Sequence, residues 1–426
     1  ENVAMTREAA QKCGKEIGIL GDLPGPKLRL GNVENGVVEL AEGSEVTLTT
    51  EQVVGTPTQL EVSWDGLPGA VFEGGEVYLA DGRIRMRVEG RDASGVRCRV
   101  EVGGPVASHQ GLNLPNAEVT LPSAGRDDLA WVDFAIEQRV DLLAVSFVRR
   151  AEDLEPVNRR IRTGGADIPL IAKIEKPQAA ERAEAIIKAT TSGIMVARGD
   201  LGIELPLEQV PSVQRRLLAL AGKHSRPSIT ATQMLASMVS SPRPTRAEVS
   251  DVANAIYQGT DAVMLSEETA VGEHPAEAVR VMDRIARATE PELPYTDWVF
   301  NRADSEGDIA ASVARAAVGS TYTLGLAALV VPTRSGRTAR LVSAHRPKVP
   351  VLAVSPRIET VRRLNLLFGV QCVIADEWTG ITALLDDCAR LAHETGVAGS
   401  GDLIGITAGL PSQELGTNLF EIHRVP

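Results

Sequence analysis

The 426-residue chain has little cysteine, little histidine and few aromatic side chains. Its four cysteines, Cys13, Cys98, Cys372 and Cys388, are far apart and form no Cys-x-x-Cys pair. That spacing argues against a disulfide framework and against a structural zinc site, and it fits reduced thiols in a cytoplasm. Aromatic residues make up 3% of the chain, so a core of this size must be built from Ala, Val, Leu and Ile. No apolar run approaches the ~20 residues of a membrane-crossing helix, and no signal-peptide pattern is visible. An excess of positive charge is missing as well. Lys and Arg number 44 against 56 Asp and Glu, a net charge of -12, which argues against nucleic acid and anionic membranes as partners.

What is present is a recurrent strand-then-helix pattern. The apolar runs EIGIL (16–20), DLLAVSF (141–147), PLIAKIE (169–175), GIMVAR (193–198), PSITATQ (227–233) and DAVMLSE (261–267) are each followed by a helical stretch. Runs buried on both faces and alternating with helices read as parallel strands of an α/β fold. Thr245-Arg-Ala-Glu248 is a capping box, followed by Val249, Val252, Ala253 and Ile256 on one helix face and a stop at Gly259. Residues 31–120 differ: they are Gly-rich and alternate, as in EVYLA and IRMRVEG, with turns at Gly74-Gly75, Asp81-Gly82 and Gly103-Gly104. This is an all-β insertion leaving the C-terminal side of a strand, where lids are built. Residues 305–426 restart the pattern as a separate α/β domain, with 291–305 as a Pro-rich polar linker. The segments 1–30 and 121–292 then make the catalytic unit. Six strands fit either an open doubly wound sheet or a (β/α)8 TIM-type barrel without its two N-terminal βα units.

In a parallel barrel the chemistry sits at the C-terminal strand ends. Here those ends carry Asp22, Lys27 and Arg29; Ser146; Lys173 and Glu175; Arg198 and Asp200; Thr232 and Gln233; and Ser266, Glu267 and Glu268. Lys173-Ile-Glu175 alternates so that Lys and Glu leave the same strand face, toward the interior. Glu175 and Asp200, on neighbouring strands, suit a Mg2+ or Mn2+ ion that takes its remaining ligands from water and substrate. Lys173 is either their counter-ion or a stabiliser of phosphate or enolate charge. Lysine, metal and the amides after Gly199 together are what phosphoryl transfer requires.

The strings DLPGPKLR, GLNLP, LAVSF, AKIEK, GIMVARGDLGIELP, ITATQML, PRPTRAEVSDVANAI and DAVMLSEETA, in this order, closely resemble the pyruvate kinase family. The resemblance covers essentially the whole chain. It implies a phosphotransferase that makes pyruvate and ATP from phosphoenolpyruvate and ADP. Glu175 and Asp200 are then the metal ligands and Lys173 stabilises the transferring phosphoryl group. The Gly199 and Asp200 amides and the Thr232 hydroxyl hold the phosphoenolpyruvate carboxylate, Ser266 belongs to the proton-delivery network, and Arg29 reaches phosphate. Arg198 is structural. Members that require K+ commonly carry Glu where this chain has Lys27, so K+ is expected to be dispensable, Lys27 substituting beside Asp22, otherwise a K+ ligand. The loop Thr333-Arg334-Ser335-Gly336-Arg337-Thr338, at a helix N-terminus, corresponds to the family's site for phosphorylated effectors. A cytoplasmic homotetramer is implied.

Three departures accompany the resemblance. The family's first two βα units, with an Arg-x-Asn-x-Ser-His segment, have no counterpart. His109-Gln110 stands where lysine usually precedes the Gly-Val-Asn-Leu-Pro of the lid. Glu267 stands where Gly or Ala is frequent. Two other readings remain open on the residues alone: a metal-dependent aldolase acting on pyruvate enolates, and a degenerate homologue that binds metabolites without turnover.

Overall fold

The computed structural model describes residues 1–80, 82–92, 95–115, 121–304, 306–409 and 416–426. Asp81 of the expected Asp81-Gly82 turn, the last residues of the 31–120 insertion and residue 305 at the start of the C-terminal domain fall outside them.

Six parallel strands, Leu20–Asp22, Leu142–Val145, Leu170–Ile174, Gly193–Ala197, Ser228–Ala231 and Ala262–Val263, form one sheet in sequence order. A doubly wound sheet would reverse direction at a switch point. The unbroken order is that of a (β/α) barrel, and the open doubly wound alternative is set aside. Alternation along the strands sorts the side chains onto two faces. Leu143, Val145, Ala172, Ile174 and Val196 pack outward against the helices with Ile186 and Leu217, whereas Ala144, Ile171, Met195 and Ile229 fill the interior. Lys173 and Glu175 share the register of Ile171, so the strand points both inward. The capping box forms, with the Glu248 amide donating to Thr245 Oγ1 at 3.2 Å and the Thr245 amide to Glu248 Oε2 at 2.7 Å. Val252, Ala255 and Ile256 face the core from this helix, while Val249 is exposed.

The inserted unit is a seven-stranded sheet with its own Val- and Leu-rich core, plus a two-stranded ribbon. It starts earlier than expected. Leu28–Arg29 is already one of its strands, paired antiparallel with the returning strand Gly111–Asn113, and Leu28 and Leu30 are buried in its core. Alternation explains the shift: Leu28 and Leu30 point one way and Arg29 the other, a half-buried strand. The chain therefore leaves and re-enters the barrel side by side.

The C-terminal sheet has five strands in the order Val370–Ile374, Val351–Ser355, Ala328–Pro332, Leu403–Ala408, Leu419–Arg424, the last antiparallel. The stretch 291–305 is not a plain linker: it contains the helix Tyr295–Asn301. Tyr295 and Val299, four apart on one helix face, are buried. Tyr295 packs with Val252 and Ile285 of the barrel helices, and Val299 with Ala314 and Leu329 of the C-terminal domain.

Candidate active site

Lys173 stands at the centre of a hydrogen-bonded group drawn from three strand ends. Its Nζ lies 3.1 Å from Asp22 Oδ2, 2.9 Å from Ser146 Oγ and 3.0 Å from Glu175 Oε1. Burial alone would lower the lysine pKa, but the Glu175 and Asp22 carboxylates outweigh it and raise the value above the usual range, so the ammonium is charged at neutral pH. Glu175 is 1% exposed, and its Oε2 accepts the Phe147 amide at 2.6 Å. Phe147 has a φ of +53°, an unusual conformation for a bulky residue. Burial pushes the Glu175 pKa up; Lys173 opposes this, and the nearby charge of Asp200 adds to it.

That electrostatic state tests whether a metal fits. Two acidic groups that repel across a buried interior are what a divalent cation relieves. Among the described residues no group of three or more His, Cys, Asp and Glu has metal-binding geometry. Glu175 and Asp200 would supply two carboxylate ligands to such an ion, its others coming from water and substrate oxygens.

Asp200 lies in the first turn of helix Arg198–Glu204, which begins directly at the end of strand Gly193–Ala197. Arg198 turns away from the cleft. It bonds the Thr232 carbonyl at 2.7 Å and pairs with Asp251 at 2.7 Å, holding the next strand end. Thr232 and Gln233 both have positive φ, +71° and +54°, so this turn is strained and needs that support. Thr232 Oγ1 accepts the Gly199 amide at 2.7 Å. A Cβ at Gly199 would meet Thr232 only at 3.5 Å, so no described neighbour demands glycine there.

Lys27, Gly199, Asp200, Thr232, Ser266 and Glu267 line one cavity of about 310 Å³. Lys27 reaches it over Gly111, where a Cβ would sit 2.9 Å from the lysine Cε. Ser266 Oγ is buried and has no hydrogen-bond partner among the described residues, while its amide donates to Glu268 Oε2 at 2.7 Å. Glu267 is exposed at the cavity wall. Arg29 is not in this group: it rides on the inserted sheet and donates to the His109 carbonyl at 3.1 Å. The motifs assign no role to Ser146, to the Phe147 amide or to the partly buried Lys176–Glu204 pair. Ser146 already stood among the strand ends; nothing in the sequence marks the other two.

The C-terminal loop forms a second cavity of about 530 Å³, lined by Thr333, Arg334, Ser335, Arg337, Thr338 and Trp378. Thr333 Oγ1 accepts the Gly336 amide at 3.0 Å. Gly336 has φ +80°, and a Cβ there would press on Leu364 at 2.9 Å, so glycine is required. Thr338 bonds Thr417 at 2.6 Å. Arg334 pairs with Glu377, and Arg337 with Asp308 at 2.6 Å.

The family model "Pyruvate kinase, barrel domain" matches residues 1–279, and "Pyruvate kinase, alpha/beta domain" matches residues 311–423. The chain is 41% identical to the pyruvate kinase of Geobacillus stearothermophilus over 99% of its own length and 72% of the relative's. It is 40% identical to that of Bacillus licheniformis over 98% and 72%. A crystal structure of a pyruvate kinase from Cryptosporidium parvum superposes with a TM-score of 0.93 at 32% identity, covering 99% of this chain and 86% of that one. With both of its domains matched and the cleft built from the strand ends that the family's motifs mark, the chain belongs to the pyruvate kinase family.

Proposed function

We propose that this chain transfers the phosphoryl group of phosphoenolpyruvate to ADP through the Lys173, Glu175 and Asp200 cluster, and then protonates the enolate. The enzymes of this family use a divalent metal; here Glu175 and Asp200 would hold Mg2+ or Mn2+, which would supply charge neutralisation for the phosphoryl oxygens. The observation that carries the reading is the Lys173 ammonium, fixed by three partners on the interior face beside that carboxylate pair. The ester P–O bond breaks as a terminal ADP oxygen bonds to phosphorus, and Lys173 offsets the charge that spreads over the phosphoryl oxygens. Thr232 and the Gly199 and Asp200 amides hold the substrate carboxylate, Thr232 exchanging its bond to the Gly199 amide for one to substrate. Ser266, whose buried hydroxyl has no partner among the described residues, serves the delivery of a proton to C3 of the enolate, which yields pyruvate. Arg29 is assigned to phosphate when the lid closes. Lys27 at the cavity wall stands in for K+, Asp22 being bonded to Lys173. The loop 333–338 is assigned to a phosphorylated effector, and the assembly to a homotetramer.

Asp200→Asn tests the centre of this assignment. It is expected to lower kcat by at least ~10²-fold, the scale of other lost charge-stabilising groups. It should also weaken Mn2+ binding to the substrate-free protein, read by electron paramagnetic resonance. Unchanged Mn2+ affinity would remove Asp200 from the metal site.

A further inference from the structure

The opposite end of the parallel sheet holds Arg346, the largest fully buried side chain among the described residues, with 0% exposure. It belongs to the C-terminal domain, two residues beyond helix Arg337–Ala344, yet it enters the floor of the barrel. Its Nη1 donates to Asp261 Oδ1 at 2.8 Å and its Nη2 to the Gly259 carbonyl at 2.7 Å. The guanidinium lies 4.4 Å over the Phe368 ring. The other oxygen of Asp261, Oδ2, accepts from the Ser228 amide at 2.9 Å and from Ser228 Oγ at 3.2 Å. Asp261 returns its own amide to the Ser228 carbonyl at 3.0 Å. One carboxylate therefore staples the starts of two adjacent strands, and one guanidinium from another domain fixes that carboxylate.

Those two strands lead to the site. Ser228 begins the strand that ends before Thr232, and Asp261 precedes the strand that leads to Ser266. In register, Ile229 pairs with Ala262 and Thr230 with Val263, so a shift at the floor is passed along both. A buried ion pair is poor value as a stabiliser, because desolvation offsets the attraction, and fixing register is its best-attested use. We propose that Arg346 is a positioning residue for the protonation half of the reaction, setting through Asp261 the relative height of Thr232 and Ser266. This rests on the roles assigned above to Thr232 and Ser266.

The test uses the full chain and reads three quantities: kcat for phosphoenolpyruvate and ADP, the rate at which the methyl protons of pyruvate exchange with deuterium, and Mn2+ affinity. Arg346→Lys keeps the charge and loses the fork, and Asp261→Asn keeps the shape and loses the pair. Misplacement by about 1 Å can cost up to ~10²-fold. Both variants are therefore expected to slow methyl exchange and kcat together by roughly tenfold or more, with Mn2+ affinity within about twofold of the parent. A purely structural role would lower the melting temperature and leave both rates intact in the folded protein, and that result overturns the proposal. Should Asp261→Asn not fold, Arg346→Lys and Ser228→Ala decide alone, the latter removing one contact of Asp261 and leaving the ion pair. Normal exchange in both overturns it equally. Ser266→Ala in the parent separates the two readings: unchanged exchange there means that the role of Ser266 is wrong, whatever Arg346 does.

Discussion

Lys173 and Arg334 are both cations beside carboxylates, and they are held in opposite ways. Lys173 is 13% exposed and touches three partners from three strand ends; Arg334 is 63% exposed and meets a Glu377 that is itself 56% exposed. Exposed pairs contribute ~0–1 kcal/mol, so Arg334 and Arg337 can give up their carboxylates at little cost. Lys173 cannot be rearranged cheaply, and the chemistry assigned to it requires that: charge stabilisation works when the group is in place before charge develops. The cleft cation is held in a fixed geometry, and the cations of the C-terminal loop are held loosely, as the effector role proposed for that loop would require.

The sharpest way to break this contrast is Lys173→Met. If Lys173 acts in the transition state, kcat should fall by at least ~10²-fold while KM for phosphoenolpyruvate changes far less. Near-normal kcat would make Lys173 only the counter-ion of Glu175, no different in kind from Arg334. The substitution also leaves a buried carboxylate without its cation, which raises the Glu175 pKa further. Residual activity should therefore rise with pH over a range where the parent is flat, as Glu175 loses its proton and becomes able to bind metal.

Much of this contrast was legible in the sequence, because its determinants are local. The Lys-x-Glu alternation fixes which face 173 and 175 share, and the Ala-, Val- and Ile-rich runs fix the strands that end at Asp22, Ser146 and Asp200. The Gly336 turn and the two arginines beside it also read from spacing. What did not read is tertiary. Arg346 meets Asp261 across 85 residues, and no periodicity links them. Leu28 and Leu30 are apolar in a way that suits either the barrel or the inserted sheet, so alternation alone does not fix the crossing point, which lies at Leu28. Tyr295 and Val299 were hidden in a Pro-rich, polar stretch whose composition suggested a linker. Arg29 was assigned by motif to phosphate, and the strand that carries it belongs to the inserted sheet.

A smaller effect is expected at Lys27, which is exposed yet reaches the cavity shared with Asp200 and Thr232. If this ammonium stands in for a monovalent cation, the parent should work without K+. Lys27→Glu should then lose roughly tenfold in activity and recover part of it with K+, since the site still gathers phosphates and needs positive charge nearby. Assays in tetramethylammonium salts with and without K+ read this directly. Strong stimulation of the parent by K+ would place Lys27 with the solvated lysines.

The smallest change in the chemistry is expected from the C-terminal loop. Replacing Arg334 and Arg337 together with Ala removes two exposed cations and frees Glu377 and Asp308 from their pairs. Asp308 keeps its other contact, the Ala311 amide at 3.1 Å, so the long helix Ile309–Leu324 remains capped and the fold should be unaffected. Coupling between separate sites shifts affinities through a shared equilibrium and leaves the chemical step alone. The double variant should therefore keep kcat at saturating substrate within about twofold. It should lose the effector-induced decrease in the phosphoenolpyruvate concentration needed for half-maximal rate, a change of about 5- to 150-fold for typical couplings. Titrating sugar phosphates and nucleoside monophosphates against parent and variant at subsaturating phosphoenolpyruvate makes the measurement. Activation that survives the loss of both arginines would put the effector at another surface and leave this loop with only its capping role.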